Sequence, residues 1–436
     1  MNRILAIEFR RSAALGAAFL ITVAGTILLQ VTASRWSAGW MALAMTQREY
    51  LALLSPLAMA AGAWQSYRVH RANVDELFAS ASRPRPQRMV PILVTTGLAV
   101  IVAYLITLLT AAPRIADTAR YLPSAAYVVV AVGLVAMIAS VWLGLAVGRQ
   151  VPALATAPAL AVTGFALLIL APQALPDGGM TAAFSPSMGM SVFSDYDTVD
   201  GQVSGAQGLW MAAIAGGAVV LFAVQNRRFA FAALVPLAVG ATATALVVPT
   251  GDAYERGRLD PVAQELVCTD VAPLVCLSRA HEALLPEVAP KARRALALLS
   301  RTSAVEAHED TSTLFPPTSP KWRADTVLMR ITLDHHGRLA HPGRLVPAML
   351  TGAFTGRGNC GDRANVPVAT AAAFWLLDRR PTAGPDGLEY VDPEAVKLWT
   401  ALRTLPRAEA GARVTAVYRA AQKCQVTTGL LIRGAR

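Results

Sequence analysis

The chain of 436 residues is 54% hydrophobic and only 15% charged, with a mean hydropathy of +0.44. A soluble protein of ordinary composition has roughly 25% charged residues, so this composition excludes a wholly soluble chain. The net charge of +11 is spread over the chain, with 15 basic and 9 acidic residues in 1–249 and 24 basic and 19 acidic residues in 250–436. No basic stripe interleaved with aromatic residues is present, which argues against a nucleic-acid partner.

Charge density separates the chain into two parts. About 10% of residues 1–249 are charged, against about 23% of residues 250–436. The first part has the composition of a membrane-embedded domain, and the second has that of a soluble domain large enough to bury its own core.

The N-terminal part contains seven stretches without Asp, Glu, Lys or Arg: 12–31, 51–67, 89–111, 124–148, 152–172, 207–224 and 229–249. A helix that crosses the hydrocarbon core needs about 20 apolar residues, which these stretches reach or approach.

With the N-terminus inside, 11 basic residues lie in the inside segments, and only Arg35, Arg48, Arg114 and Arg120 lie outside. The positive-inside rule therefore places the N-terminus in the cytoplasm. The sequence predicts an α-helical polytopic protein of the cell membrane, with about seven transmembrane helices followed by an extracytoplasmic domain over 250–436.

The predicted extracytoplasmic domain is mainly helical. Its periodicity indicates one strand over 326–333, an exposed loop over 302–324, and helices over 278–300, 344–354, 363–377, 393–405 and 407–424. No catalytic constellation and no zinc-binding cysteine spacing is evident, so we predict neither an enzyme nor a metal site. The role of this domain stays open between gating, substrate capture and contact with an envelope partner.

All four cysteines lie in the C-terminal part: Cys268, Cys276, Cys360 and Cys424. An even number confined to one compartment is typical of an oxidising exterior. We favour the pairing Cys268–Cys276 with Cys360–Cys424, which predicts a disulfide-linked domain. The two other pairings, and four unpaired buried thiols, remain alternatives.

A short amphipathic helix is predicted in the loop between the second and third charge-free stretches. Its first residue has N-cap chemistry, two carboxylates follow in the first turn, and three apolar side chains share one face. These residues are Asn73, Val74, Asp75, Glu76, Leu77 and Phe78, and an Arg-Pro-Arg-Pro run follows at 83–86. One interpretation is a helix that lies on the bilayer surface, with its basic flanks near anionic headgroups.

This order of features resembles the membrane subunit of ABC-2-type transporters. An amphipathic segment over 4–11 leads into the first stretch, the second contains Trp64, and a Glu-Leu-Phe-Ala-Ser helix followed by Arg and Pro precedes the third. With 35 Arg against 4 Lys, the chain looks most similar to diverged permeases of high-GC actinobacteria. The resemblance covers residues 1–228 as a six-span domain with its larger outside loop at 173–206. The seventh span over 229–249 and the domain over 250–436 go beyond the family core.

The resemblance implies that residues 73–82 form a coupling helix on which a separate cytoplasmic ATPase docks, and that the pathway needs a homodimer or a second permease subunit. Two absences in the sequence agree with an ATPase on another chain, which would carry the ATP, so no cofactor is expected here. No P-loop motif is present, and the predicted spans hold no ionisable residue that could couple transport to protons or sodium. The alternative is a non-transporting sensor or scaffold whose outside domain binds a ligand or partner.

Overall fold

The computed structural model describes residues 14–71, 86–175, 177–224, 227–300, 304–319, 323, 325–355, 365–381 and 392–433. The chain divides into two compact units, Met1–Asp260 and Pro261–Arg436, called here the membrane unit and the C-terminal unit. The membrane unit is built almost entirely from helices. These are α1 Ala14–Val31, α2 Trp40–Glu49, α3 Leu51–Arg71, α4 Pro86–Ala111, α5 Ser124–Gln150, α6 Thr156–Leu170, α7 Gly178–Phe184, α8 Gly201–Ala223, α9 Leu234–Val247 and α10 Asp252–Arg256.

Five segments in the described part of the chain are long and apolar enough to cross a bilayer. They are Ala14–Val31, Met89–Arg114, Ser124–Gln150, Gly201–Ala223 and Arg228–Val247, so the predicted count of seven spans is not confirmed. The stretch predicted over 51–67 forms α3, whose 21 residues end in a polar, basic turn with Arg68 and Arg71. The stretch predicted over 152–172 forms α6, whose 15 residues rise only about 22 Å, against a hydrocarbon core of about 30 Å.

Aspartate side chains begin two helices of the membrane unit. Asp177 accepts a hydrogen bond from the backbone N–H of Met180 at the start of α7, and Asp200 accepts one from Gln202 at the start of α8. Each carboxylate satisfies an N–H group that has no partner within the helix and lies at the positive end of the helix dipole. Asp177 and Asp200 thus have a local structural role.

Helices α3 and α5 run in the same direction and touch backbone to backbone. A Cβ atom at Gly144 would lie 2.0 Å from the Met59 carbonyl oxygen, and one at Gly148 would lie 2.7 Å from the Ala63 Cα. On the facing helix, a Cβ atom at Gly62 would lie 2.2 Å from the carbonyl oxygen of Val141. Small residues four apart are the usual means of close helix approach in membranes. Three glycines therefore set the separation of these two helices.

Helix α4 runs antiparallel to α5. The Tyr104 hydroxyl of α4 faces Gly133, near the start of α5. The Trp142 indole N–H, near the end of α5, donates to the carbonyl of Leu93, near the start of α4.

Helix α4 runs parallel to α1, since Thr107 faces Gly25 and the Thr110 carbonyl, further along α4, accepts from Gln30, further along α1, at 3.2 Å.

Helix α8 runs parallel to α5, and α9 runs back along α8. Arg149 at the end of α5 donates to the Phe222 carbonyl at the end of α8 at 3.0 Å. Thr244, near the end of α9, donates to the Ala206 carbonyl near the start of α8 at 3.1 Å. Helices α3, α5 and α8 therefore finish at one end of the bundle, and α4 and α9 begin there.

The C-terminal unit combines a four-stranded sheet with helices. The strands are β1 Leu266–Cys268, β2 Val275–Ser278, β3 Glu306–Glu309 and β4 Thr326–Met329, in the order β1-β2-β3-β4. Strands β1 and β2 are antiparallel, while β2, β3 and β4 are parallel. The helices are α11 Leu285–Leu298, α12 Leu345–Thr355, α13 Val366–Leu376, α14 Pro393–Thr404, α15 Arg407–Gln422 and α16 Leu430–Arg433.

The core of the C-terminal unit lies between the sheet and these helices. Val275 and Leu277 of β2, with Ala307 of β3, are fully buried there against Val288 of α11 and Leu350 of α12. The predicted strand over 326–333 is found as the shorter β4. The predicted helices have ends within about three residues of the observed ones, except that the helix predicted over 278–300 begins as a 3-10 helix over Arg279–Leu284 and continues as α11 from Leu285. The other three strands were not predicted.

Candidate functional site

The predicted ATPase-docking helix lies outside the described residues. Asn73, Val74, Asp75, Glu76, Leu77 and Phe78 all fall in the interval 72–85. The helices on either side are described: α3 ends at Arg71, and α4 begins at Pro86. This interval therefore starts and finishes at the end of the bundle where α5 and α8 also finish.

The most unusual side chain of the membrane unit is Arg48 on α2, which is completely buried (0% exposed). Its Nη2 donates to Gln207 Oε1 of α8 at 2.8 Å, and its Nε donates to the Pro186 carbonyl at 3.1 Å. A longer bond of 3.4 Å joins Nη1 to the Val129 carbonyl of α5. One guanidinium thus links α2, α5, α8 and the loop after α7.

The acceptors around Arg48 are all neutral oxygens. Burial lowers the pKa of the Arg48 guanidinium to about 10, so it stays protonated at neutral pH. Buried charges in membrane proteins are rare, and they are held either by opposite charges or by backbone carbonyls. Among the described residues, no carboxylate forms an ion pair with Arg48, so carbonyl and amide oxygens stabilise the charge.

Two glutamines extend this buried network: Gln47, which precedes Arg48 in α2, and Gln207, which accepts a hydrogen bond from it. Gln47 Nε2 donates to the Tyr104 carbonyl of α4 at 2.7 Å. Gln207, besides accepting from Arg48, donates through Nε2 to the Ala182 carbonyl at 2.7 Å. Within the described part of the chain, Gln47 Oε1 and the Tyr104 hydroxyl are buried without a hydrogen-bond partner. Because such groups are costly to bury, this network is the candidate site of the membrane unit.

The network supports two chemical roles. A fixed positive charge attracts anionic groups, and a multidentate guanidinium fastens the segments that it bridges. The observed contacts support fastening, since Nε, Nη1 and Nη2 are all engaged and the side chain has no accessible surface. We therefore assign Arg48 and Gln207 the role of holding α2 and the 185–187 loop against α5 and α8.

In the C-terminal unit, a buried pair joins the sheet to the segment after β2. His281 Nδ1 and Glu309 Oε1 are 2.6 Å apart, with 2% of each side chain exposed. The other Glu309 oxygen accepts from the Ser278 backbone N–H at 2.7 Å, and the Ser278 hydroxyl is 3.3 Å from the same His281 Nδ1. A hydrolytic triad uses opposite ring nitrogens for serine and carboxylate, so this arrangement is not one.

Glu309 also borders a cleft of about 440 Å³ in the C-terminal unit. The cleft is lined by Pro261, Gln264, Glu265, Leu266, His308, Glu309 and Thr311. Its walls mix two carboxylates, an imidazole and an amide with apolar surface. Such a lining suits a small polar ligand.

The described cysteines of the C-terminal unit are disulfide-bonded, and His336 lies in a turn. Cys268 and Cys276 are directly opposed in the β1–β2 pair and form a disulfide. Cys424 is also disulfide-bonded, while Cys360, its predicted partner, lies outside the described residues. Asp334 Oδ1 accepts a hydrogen bond of 2.8 Å from the backbone N–H of His336, which closes a turn.

Sequence reasoning missed the Arg48 network because Arg48 lies outside every charge-free stretch and was assigned to an outside loop. The sequence nevertheless contains one signal of a buried polar site. Gln207 lies at the edge of a predicted span, where an amide needs a polar partner. That partner is an arginine 159 residues away in the chain.

Comparison of the chain with protein-family models, with curated proteins and with solved structures gives no match.

Proposed function

We propose that this chain is the transmembrane permease subunit of an ABC-type, exporter-like transporter in the cell membrane. A separate cytoplasmic ATPase drives it by docking on the loop between the second and third spans, at residues 73–82. ATP hydrolysis belongs to that partner, so this chain is not itself an enzyme. A homodimer or a second permease subunit completes the pathway, and lipids surround the membrane unit.

The observation that carries this proposal is the collection of basic residues at one end of the bundle. Helices α3 and α5 finish there with Arg68, Arg71 and Arg149, and Arg228 follows α8 at the same end. The 72–85 interval joins α3 to α4 at this end. Because cytoplasmic loops are enriched in arginine and lysine, this basic end faces the cytoplasm, where an ATPase operates.

The alternation of helix directions supports a seven-helix topology. Helices α1, α4 and α9 run toward one end, while α3, α5 and α8 run toward the other. Helix α6 lies beside α3, with Gly164 near the Met59 sulfur. It follows α5 and precedes α8 in the sequence, so it brings the chain back from the end of α5 to the start of α8. In this arrangement α3 completes a crossing as a less apolar helix and α6 completes one as a shorter helix, and the extracytoplasmic domain follows α9.

Co-purification from native membranes tests the proposal. We expect the tagged wild-type chain to retain a P-loop ATPase, and the Leu77→Asp/Phe78→Asp variant to lose at least about 90% of it, because two carboxylates then occupy the predicted apolar docking face. The measurement is the amount of ATPase recovered per amount of chain, by quantitative mass spectrometry.

Ala79→Asp is the matched control, because helical periodicity puts Ala79 on the opposite face from Leu77 and Phe78. It adds a carboxylate of the same kind and is expected to leave recovery within about twofold of wild type. Retention of the ATPase by the double variant, in amounts equal to the control, would show that it does not dock on this segment.

The cleft beside His308 and Glu309 favours a second candidate function, that of a sensor or scaffold whose outside domain binds a small polar ligand. The neighbouring reading frame separates the two functions. An adjacent ATPase gene supports the permease, whereas an adjacent kinase or sigma-factor system supports the sensor.

A further inference from the structure

A loop in the C-terminal unit that is closed by internal hydrogen bonds presents two large apolar side chains to solvent. Leu314 and Phe315 are 83% and 63% exposed. The Thr313 N–H donates to the Thr318 hydroxyl at 2.8 Å, and the Thr318 N–H donates back to the Thr313 carbonyl at 2.9 Å. The Thr313 hydroxyl also donates to the Pro316 carbonyl at 2.6 Å. The exposure of the apolar pair therefore belongs to an ordered loop, called here the 311–318 loop.

Single exposed apolar residues are common on protein surfaces and need no explanation. The 311–318 loop differs because two such residues are adjacent, at the tip of a turn closed by three hydrogen bonds and followed by two prolines. A shape fixed in advance reduces the entropy lost when the tip contacts another surface. This geometry is suited to insertion into an apolar phase.

The base of the 311–318 loop is tied to the first residues of the C-terminal unit. Gln264 Nε2 donates to the Thr311 carbonyl at 3.1 Å. Gln264 follows Asp260 by four residues, which is at most about 14 Å of extended chain. Within the membrane unit, Asp260 Oδ2 accepts a hydrogen bond of 2.7 Å from the Tyr121 hydroxyl. Tyr121 precedes Ser124, the first residue of a span-length helix, by three residues.

We propose that the 311–318 loop inserts Leu314 and Phe315 into the interfacial region of the lipid bilayer that surrounds the membrane unit. The proposal rests on the membrane embedding of that unit, and it requires neither an ATPase partner nor a particular direction of transport.

Composition and tethering favour lipid over a protein occupant. Residues 311–319 read Thr-Ser-Thr-Leu-Phe-Pro-Pro-Thr-Ser and include no charge, so insertion buries no ionised group. Hydroxyl groups on both sides of the apolar pair suit hydrogen bonding at headgroup level. The short connection to a span-length helix keeps the loop at high effective concentration near the bilayer, while a protein partner would have to be recruited.

The test uses the full-length chain in lipid nanodiscs, with an environment-sensitive fluorophore on Phe315→Cys. The control is Val305→Cys. Val305 is 54% exposed in the wild type and lies just before β3, whereas the 311–318 loop follows β3. Wild-type chain treated with the same reagent measures background labelling of the native cysteines. Brominated lipids quench a fluorophore inside the bilayer, and iodide quenches one in water.

We expect brominated lipids to quench the fluorophore at position 315 by at least about twofold and iodide to have little effect, because the side chain lies in the interfacial region. The fluorophore at position 305 should show the reverse. Iodide quenching at 315 without a lipid effect would overturn the proposal. Protection from both quenchers would overturn it too, since a protein surface would then cover the loop. Either result leaves ATPase co-purification unaffected, so the two proposals fail separately.

Discussion

Replacement of Arg48 by alanine is expected to lower the apparent Tm of the detergent-solubilised chain by roughly 6–12 °C. The change leaves Gln207 Oε1 and the carbonyls of Pro186 and Val129 without their donor, inside a fully buried site. Loss of these bonds and of the packed side chain outweighs relief of the buried charge, for a net loss of about 3 kcal/mol. Fluorescence-detected size-exclusion chromatography after heating gives the apparent Tm.

Two variants show whether this loss arises from the network. Arg35→Ala removes a part-exposed ion pair with Glu49, of 2.7 Å, and should change the apparent Tm by no more than about 2 °C. Arg48→Met restores packing without donors, so its stability should lie between those of Arg48→Ala and the wild type. If Arg48→Ala were as stable as Arg35→Ala, the guanidinium would not be fastening the bridged segments.

Substitution of Gly144 by alanine is expected to lower the apparent Tm by roughly 5–10 °C. The added Cβ would lie 2.0 Å from the Met59 carbonyl oxygen, which belongs to the α3 backbone and cannot rotate away. Helices α3 and α5 must separate to make room, and this also strains the nearby bond from the Ser66 hydroxyl to the Leu145 carbonyl, of 2.8 Å.

The control for this prediction is Gly205→Ala in α8. A Cβ atom at Gly205 meets nothing within 4 Å, and alanine favours the helix, so the apparent Tm should stay within about 2 °C or rise. Equal effects of the two substitutions would mean that close packing of α3 on α5 does not determine stability.

The spans that the sequence predicts best are those whose apolar residues are least interrupted. The stretches at 89–111 and 124–148 appear within helices of span length, because hydropathy alone identifies such segments. The stretch at 51–67 is interrupted by polar residues such as Ser55, Gln65 and Ser66, so hydropathy alone does not identify α3 as a span. Helix α6 begins four residues later than its charge-free stretch, at Thr156, and this shortens it.

The Arg48 network could not be predicted because it joins residues distant in the chain. Arg48 and Gln207 are 159 positions apart, and the arginine reads as an ordinary loop residue. Burial of α2 depends on how α5 and α8 pack beside it, which is tertiary information. From local sequence alone, a basic residue outside the apolar stretches is expected in an exposed loop.

In the C-terminal unit, the helices and strand β4 were predictable, and strands β1, β2 and β3 were not. Strands β1 and β3 have three and four residues, too few to show an alternating pattern. The short loop between Cys268 and Cys276 predicts their pairing. In the structure, the antiparallel register of β1 and β2 brings these cysteines opposite each other.

Docking of an ATPase at the basic end requires that the two ends of the bundle face opposite sides of the membrane. Labelling of intact cells with a membrane-impermeant thiol reagent tests this with two variants, against a wild-type background. Asp117→Cys, in the exposed segment between α4 and α5, should be modified in intact cells. Asn226→Cys, in the 225–228 segment of the predicted basic side, should be modified only after permeabilisation. Modification of both positions in intact cells would contradict the cytoplasmic location of the basic end, and with it the docking of an ATPase there.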